Sequence, residues 1–592
     1  MTKKSTLFVT LFSLFAGIAP AANQYLQHNL VSDQTGAGAD HVDTNLVNAW
    51  GICTSATSPF WISDNGTGLS TLYNSFGVPN ATVKPAIPAT GTTATGGAPT
   101  GCVSNGTTTS FLVPNSGGSG SNFIFVTENG SISGWSGTVN AAQAIVMVDN
   151  SSKGAVYKGL AMATPSAATG PWIYAANFNA GTIEVYDGTW KLVSLPGAFT
   201  DPGIPSGFAP FNIQTLGGKL YVTYAKQDAQ KKNDVAGAGN GFVDVYDLNG
   251  VLLNHLVSNG SLNSPWGLAI APAGFGDFAN DLLVGNFGDG AINVFNPTTG
   301  ALISTLQDAK GNTIRISGLW GLRVGNGGNG GDGNAVYFAA GPGSEQHGLF
   351  GSLQAAPAVT PNAISNSASY VTTIAPGGFV TVQGSNLAAT QRTWASADFV
   401  GGKLPTSLDG VSATVNGKAA YMYYVSPLQI DLIPAGDTTQ GPVQVVISNN
   451  GLQSAAMTVT QAVYAPGFFI SKSNYIAATH ADGTLVGPAT LFPNNSTPAK
   501  AGETIVLYGT GLGPANPSQD GLVVTAPSPT TTLPTVTING VAVTVAFSGL
   551  TSAGLDQINV VMPQGTPAGD QSVVLTIGGV KSQTGALISV GS

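Results

Sequence analysis

SPWGLAIAP (264–272), DLLVGNF (281–287), GDGAINVFNPTTG (288–300) and ALISTLQ (301–307) follow one another in the middle of the chain. Each holds a short apolar or β-branched run bounded by Gly, Asn or Pro, so the stretch predicts four antiparallel strands joined by tight turns. Four such strands bury too little surface to stand alone, but the pattern recurs. Its second strand and following hairpin return as FWISDNGTGLSTLYN (60–74), FIFVTENGSISGW (123–135) and WIYAANFNAGTIEVYD (172–187). They return again as KLYVTYA with GFVDVYD (219–225 and 241–247) and as AVYFAAGPGSEQHGLFGSL (335–353). Six copies at intervals of roughly 50–60 residues match a propeller-type period. An inner strand precedes each copy, at Trp50-Gly51-Ile52, Thr100-Gly101-Cys102, Lys158-Gly159-Leu160, Phe211-Asn212-Ile213, Trp266-Gly267-Leu268 and Trp320-Gly321-Leu322.

Five copies are followed by an outer strand, and the sixth is not. Segment 26–32 precedes the first inner strand without a sheet of its own, so the economical prediction is a six-bladed β-propeller closed by its N-terminal strand. The two cysteines, Cys53 and Cys102, fall on neighbouring inner strands. In an exported chain a disulfide is the default. Against it, Cys53 stands two residues after its glycine and Cys102 one, which in equal register turns them to opposite sides; the Cys53–Cys102 bridge remains the expectation.

Beyond 357 the period changes. APGGFVTVQGSNLA (375–388) is echoed by KAGETIVLYGTGLG (500–513), and GPVQVVISNNGLQS (441–454) by GDQSVVLTIGGVKSQ (569–583). Each half alternates as a β-sandwich does. The expected division is a signal peptide at 1–21, the propeller at 22–356, immunoglobulin-like sandwiches at 357–468 and 499–592, and a β-hairpin bridge at 469–498. The whole chain is expected to be all-β.

Lys3 and Lys4, the apolar run 7–15, and Ala19, Pro20 and Ala21 form the three parts of a secretory signal peptide. Export follows, to the extracellular space, the cell surface or the periplasm. Charged residues are 8% of the 592 and the formal net charge is −9, which leaves no basic footprint for nucleic acid. No later apolar run is long enough for a transmembrane segment.

Two resemblances attach to these motifs. DTNLVNAWGI, NSPWGLAIAPAGFGDF and EQHGLFGSL make residues 25–353 similar to uncharacterised exported bacterial proteins related to NHL-type propellers. YVSPLQIDLIP, ATHADGTLV and DQINVVMP make residues 361–590 resemble the uncharacterised C-terminal domain of acidobacterial exported proteins, and the LYGTGLG opening resembles IPT/TIG domains. The resemblances imply fold and export. NHL-like relatives include metal-dependent lactonases and lyases as well as plain binding modules, so no activity transfers.

Aligning the second strands puts Asp64, Glu128, Asn177, Tyr224 and Asn286 at matching positions on one face, with Asp289 and Glu345 in adjoining loops. Asp64, Glu128, Asn177 and Asn286 offer hard oxygen ligands of the kind Ca²⁺ takes. His347 and His41 are candidate catalytic histidines, brought together if the N-terminal segment lies beside the sixth copy. The same residue types are ordinary hairpin-turn residues, and His28, His255 and His480 read as structural. The 226–240 insertion, with much of the chain's scarce charge, is a candidate recognition arm. The leading expectation is an exported binding or surface-interaction protein using this face toward a carbohydrate, small molecule or surface protein, with the sandwiches as spacers. The alternatives are a metal-dependent lactonase or lyase at the same face, and a structural envelope component.

Overall fold

A computed structural model describes residues 24–90, 96–115, 117–308, 310–388 and 390–591. The expected signal peptide lies outside these residues. The described chain is almost entirely strand and turn. No helix among the described residues is long and apolar enough to cross a membrane.

The N-terminal part is a succession of small antiparallel sheets in a propeller-like arrangement. They open with the strands Ala49–Cys53, Pro99–Ser104, Tyr157–Ser166, Phe208–Leu216, Pro265–Ile270 and Leu319–Val324. Each opening strand packs against the opening strand of the next sheet, and the last packs against the first. Glycine makes that approach close enough. A Cβ at Gly51 would lie 2.4 Å from Thr100 O, at Gly101 2.5 Å from Leu160 N, and at Gly321 2.6 Å from Trp50 O. In the fourth sheet Asn212 replaces the glycine, and its Nδ2 donates to Trp266 O of the next sheet at 2.7 Å.

Tyr25–Ser32 pairs antiparallel with Leu349–Ala355, from Tyr25 opposite Ala355 to Ser32 opposite Leu349. The sixth sheet thereby takes its outer strand from the start of the described chain. Outer strands are rarer than the sequence suggests. Ile145–Asp149, Leu252–Ser258 and Leu302–Thr305 are regular, whereas the first and third sheets have only isolated bridges such as Tyr73 with Pro79 and Tyr186 with Leu192. Pro79 and Pro85 in that part of the first sheet cannot donate to a ladder.

Cys53 and Cys102 form a disulfide with Cα atoms 5.8 Å apart. The register objection dissolves on packing geometry. Cys53 lies opposite Trp61, whereas Cys102 lies opposite Phe125, one step off the equivalent position. Neighbouring sheets pack face to back, so a bridge between them needs one cysteine on each side.

The C-terminal part holds two further cores. One lies between a sheet containing Val380–Ser385 and Gln429–Ile433 and a sheet containing Val411–Val415 and Gly441–Asn449. The other is built on Thr504–Thr510, Leu555–Val561 and Gly569–Ile577. Segment 469–498, expected as a bridge, is instead stitched into this second core. Ala478–His480 pairs with Thr504–Thr510, and Ile476, Ala478 and Val486 are buried against it. Its apolar residues are few, and their burial partner is not readable from one strand's pattern.

Candidate functional site

Each opening strand carries a register shift at the same place, between Ala49 and Ile52, Pro99 and Cys102, Tyr157 and Leu160, Pro210 and Asn212, Pro265 and Gly267, and Leu319 and Leu322. A bulge leaves one residue outside the ladder and re-aims its side chain. The residues so placed are Trp50, Thr100, Lys158, Phe211, Trp266 and Trp320, all buried. Those from different sheets meet. Trp50 stacks on Trp320 at 3.5 Å, and Trp266 meets both edge-on at 6.1 Å. Phe211 lies 5.9 Å from Trp320. These side chains fill the axis as one layer.

Lys158 is the charged member of that layer. Its Nζ lies 4.9 Å from the Trp50 ring centre and ion-pairs with Glu128. Burial pushes the Glu128 carboxyl up, but the charge and hydrogen bond of Lys158, with a bond from Asn65, outweigh it and hold the group below its ordinary range. From Glu128 a polar path crosses the face. Asn65 Nδ2 donates to Glu128 Oε2 at 3.1 Å, Asn48 Nδ2 donates to Asn65 Oδ1 at 3.3 Å, and the same Nδ2 donates to Glu345 Oε2 at 2.8 Å. Asn48 Oδ1 in turn accepts the Trp320 indole N–H at 3.0 Å. Asn48 and Glu345 both hold left-handed backbone, with φ of 50° and 68°; strain of this kind persists only where surrounding structure enforces it.

The 226–240 insertion is largely exposed, but parts of it bond back to this face. Gln227 Nε2 donates to Phe178 O at 2.5 Å, and Gly237 N to Asn263 Oδ1 at 2.7 Å. Asp234 is thereby brought within reach of the field of Lys158. Burial pushes its carboxyl up despite that cation. Glu345 is pushed up as well, by the protein around it and then by Glu128 and Asp234. Three carboxylates thus lie in the field of one buried ammonium, and Lys232 of the insertion also acts on Glu128. On the other side of the layer lies a cavity of about 200 Å³, lined by Gly51, Gly101, Asn212 and Gly321 and holding Arg323, whose Nε bonds Thr54 Oγ1 at 3.0 Å.

The other residues singled out in the sequence do not gather here. Asp64 is buried in its own sheet, where its Oδ2 accepts Thr71 N at 2.8 Å and burial holds its carboxyl well above the usual range. Asn177 donates to Glu184 Oε1 at 2.8 Å within the third sheet. Tyr224 shares a 2.8 Å hydrogen bond with Tyr246. Asn286 donates to Ser261 O and to Asp289 Oδ1, and Asp289 pairs with Arg315. Apart from Glu128, the matched positions therefore bond within their own sheet and its turns, and these bonds do not bring Asp64, Asn177 and Asn286 together with Glu128. His347 Nδ1 lies 2.9 Å from Asp33 Oδ2 and its Nε2 3.0 Å from Gln34 Nε2. His41 lies in the short strand beside Val31, and no hydrogen bond joins it to His347 among the described residues. Only Glu128 and Glu345 of the expected set reach the axial face. Lys158, Asn48 and Asn65 are not among the expected site residues, and Asp234 lies in the 226–240 stretch expected as a recognition arm. The available signal was Lys158 itself, the one cation where the other copies carry Trp, Phe or Thr.

A second concavity, of about 550 Å³, lies between the two C-terminal cores and is lined by Tyr421, Ile433, Leu512, Leu550, Ala553 and Asp556. Asp556 Oδ2 accepts Leu512 N at 3.0 Å, while its buried Oδ1 has no partner. Burial pushes the carboxyl up to about 7.

The architecture defines an all-β, propeller-like protein with a C-terminal extension of further sheets. The chain belongs to the family of uncharacterised protein R648 of Acanthamoeba polyphaga mimivirus, with 31% identity over 339 residues spanning 55% of this chain and 78% of that protein. Uncharacterised protein L690 of the same virus is 29% identical over 332 residues, 53% of this chain and 82% of its own. No family model matches the chain. Among solved structures, a streptogramin B lyase aligns over 57% of this chain and 99% of its own at 10% identity and TM-score 0.32. A glucose dehydrogenase aligns over 52% and 96% at 13% identity and TM-score 0.32.

Proposed function

We propose that this chain is an exported binding protein in which a six-bladed propeller, closed by its N-terminal strand, presents one axial mouth to a cationic ligand. The observation that carries this reading is the charge balance there, with Glu128, Asp234 and Glu345 set around the single buried Lys158. A bound amine or Ca²⁺ supplies the positive charge that the burial of Glu345 and Asp234, which pushes both carboxyls up, leaves wanting, and oxygen donors suit either. The two C-terminal units act as immunoglobulin-like spacers in this reading. A top-face lactonase or lyase draws less support, because three of the four expected metal ligands, Asp64, Asn177 and Asn286, bond within their own sheets and adjoining turns.

Calorimetric titration with Ca²⁺ alone and with 1,4-diaminobutane alone tests it. One of the two should bind with 1:1 stoichiometry, and Glu345→Gln with Asp234→Asn should weaken it at least roughly tenfold, the effect of losing about 1.4 kcal/mol. Heatless titrations with both probes, or binding unchanged in the double variant, would refute the reading.

A further inference from the structure

His255, which reads as structural in the sequence, stands at the centre of a second polar cluster away from the axis. Asp244 and His255 are direct cross-strand partners in the fourth sheet, and Asp201 reaches them from the loop that precedes that sheet. His255 Nδ1 lies 2.5 Å from Asp201 Oδ2 and 2.9 Å from Asp244 Oδ1. These three are the one group of three His, Cys, Asp or Glu side chains among the described residues whose ligand atoms all lie within 4.8 Å of one another.

The cluster is underdetermined as a hydrogen-bond network. One ring N–H faces two carboxylates whose side chains are only 6% and 0% exposed. Asp244 Oδ1 is buried and makes no hydrogen bond, despite its closeness to the ring nitrogen. No lysine or arginine pairs with either carboxylate among the described residues. Even a doubly protonated His255 sets one cation against two buried carboxylates, which leaves an uncompensated buried charge that is costly.

We propose that Asp201, Asp244 and His255 form a binding site for one divalent transition-metal ion of the Zn²⁺ class. An imidazole nitrogen with two carboxylate oxygens is a ligand set this class accepts. Bonds of about 2.1 Å put such atoms about 3.0–3.5 Å apart, so the carboxylates need to part from the ring by less than about 1 Å. The outer contacts already fit. Ser258 Oγ lies 2.6 Å from His255 Nε2. Nε2–H donates to it, which leaves the Nδ1 lone pair for the ion, and the Nδ1 proton goes to solvent on binding. Tyr246 OH donates to Asp244 Oδ2 at 3.0 Å and Gly203 N to Asp201 Oδ1 at 2.7 Å, each fixing a carboxylate by the oxygen that is not used. His255, 30% exposed, leaves one side open, where water completes the coordination.

The full chain, stripped with a chelator and dialysed against Co²⁺ and separately Zn²⁺, provides the test. Expected are one ion per chain, visible d–d absorption from bound Co²⁺, and a rise of several degrees in the unfolding midpoint with Zn²⁺. His255→Gln and Asp201→Asn, each checked for native circular dichroism without metal, should bind roughly a hundredfold more weakly. Glu345→Gln, at the axial mouth, should bind the ion as the parent does. No retained ion in the parent, undiminished binding in both cluster variants, or loss confined to Glu345→Gln each overturns the proposal.

Discussion

The axis and the C-terminal cleft each bury an ionisable group, and they keep opposite charge states. Lys158 is surrounded by aromatic rings yet stays paired with Glu128, whose carboxyl is held below its usual range. Asp556 is just as deeply buried but receives one backbone N–H and nothing else, and it is pushed up to about 7. Burial alone therefore does not decide protonation here; the presence of an opposite charge within contact does. The axis is a fixed ion pair, and the cleft is a group on the edge of titrating.

The largest effect should come from breaking the axial pair on one side. Lys158→Met keeps the chain's length and strands Glu128, so urea unfolding should show a loss of about 3–5 kcal/mol, and Glu128→Gln added to it should recover most of that. If the double variant is no better than the single one, the ion pair is not what holds the axis. Next comes the cleft. A carboxyl raised from about 3.8 to about 7 contributes stability below its unfolded value that is lost as pH rises through the folded one. Between pH 5 and 8 this group alone should cost the folded protein about 3 kcal/mol, and Asp556→Asn should abolish that slope. Parallel pH profiles for parent and variant would place the unpaired oxygen in contact with a donor. The smallest effect is expected at Asn212, whose amide does the work of a missing glycine. Asn212→Ala should cost about 1 kcal/mol through the lost bond to Trp266 O.

Much of the N-terminal architecture was legible because its strands are short, alternating and punctuated by Gly, Asn and Pro. Segment 26–32 could be matched to the sheet lacking an edge by counting strands. The axial site was hidden by a one-residue effect. Aligning second strands picks out Asp64, Asn177 and Asn286, which turn out to satisfy their own turns. The side chains that meet at the centre come from bulges in the opening strands, and a bulge shifts which side chain faces where without changing composition. Lys158 was visible but carried no meaning until Glu128, 30 positions earlier in the chain, was seen beside it. The expected disulfide between Cys53 and Cys102 is present; the register argument against it fails because it takes two neighbouring sheets as copies to be superposed, when they are layers to be stacked.

The recurring bulge has a consequence for how such a protein diversifies. Because the residue at each bulge stands outside the ladder that joins the strands, its side chain answers to its neighbours in the layer and not to strand pairing. Six positions can thus change without re-pairing the strands, provided that a partner changes with them, as Glu128 accompanies Lys158. Relatives sharing this frame are expected to differ most at these six points, and to differ in what they hold there.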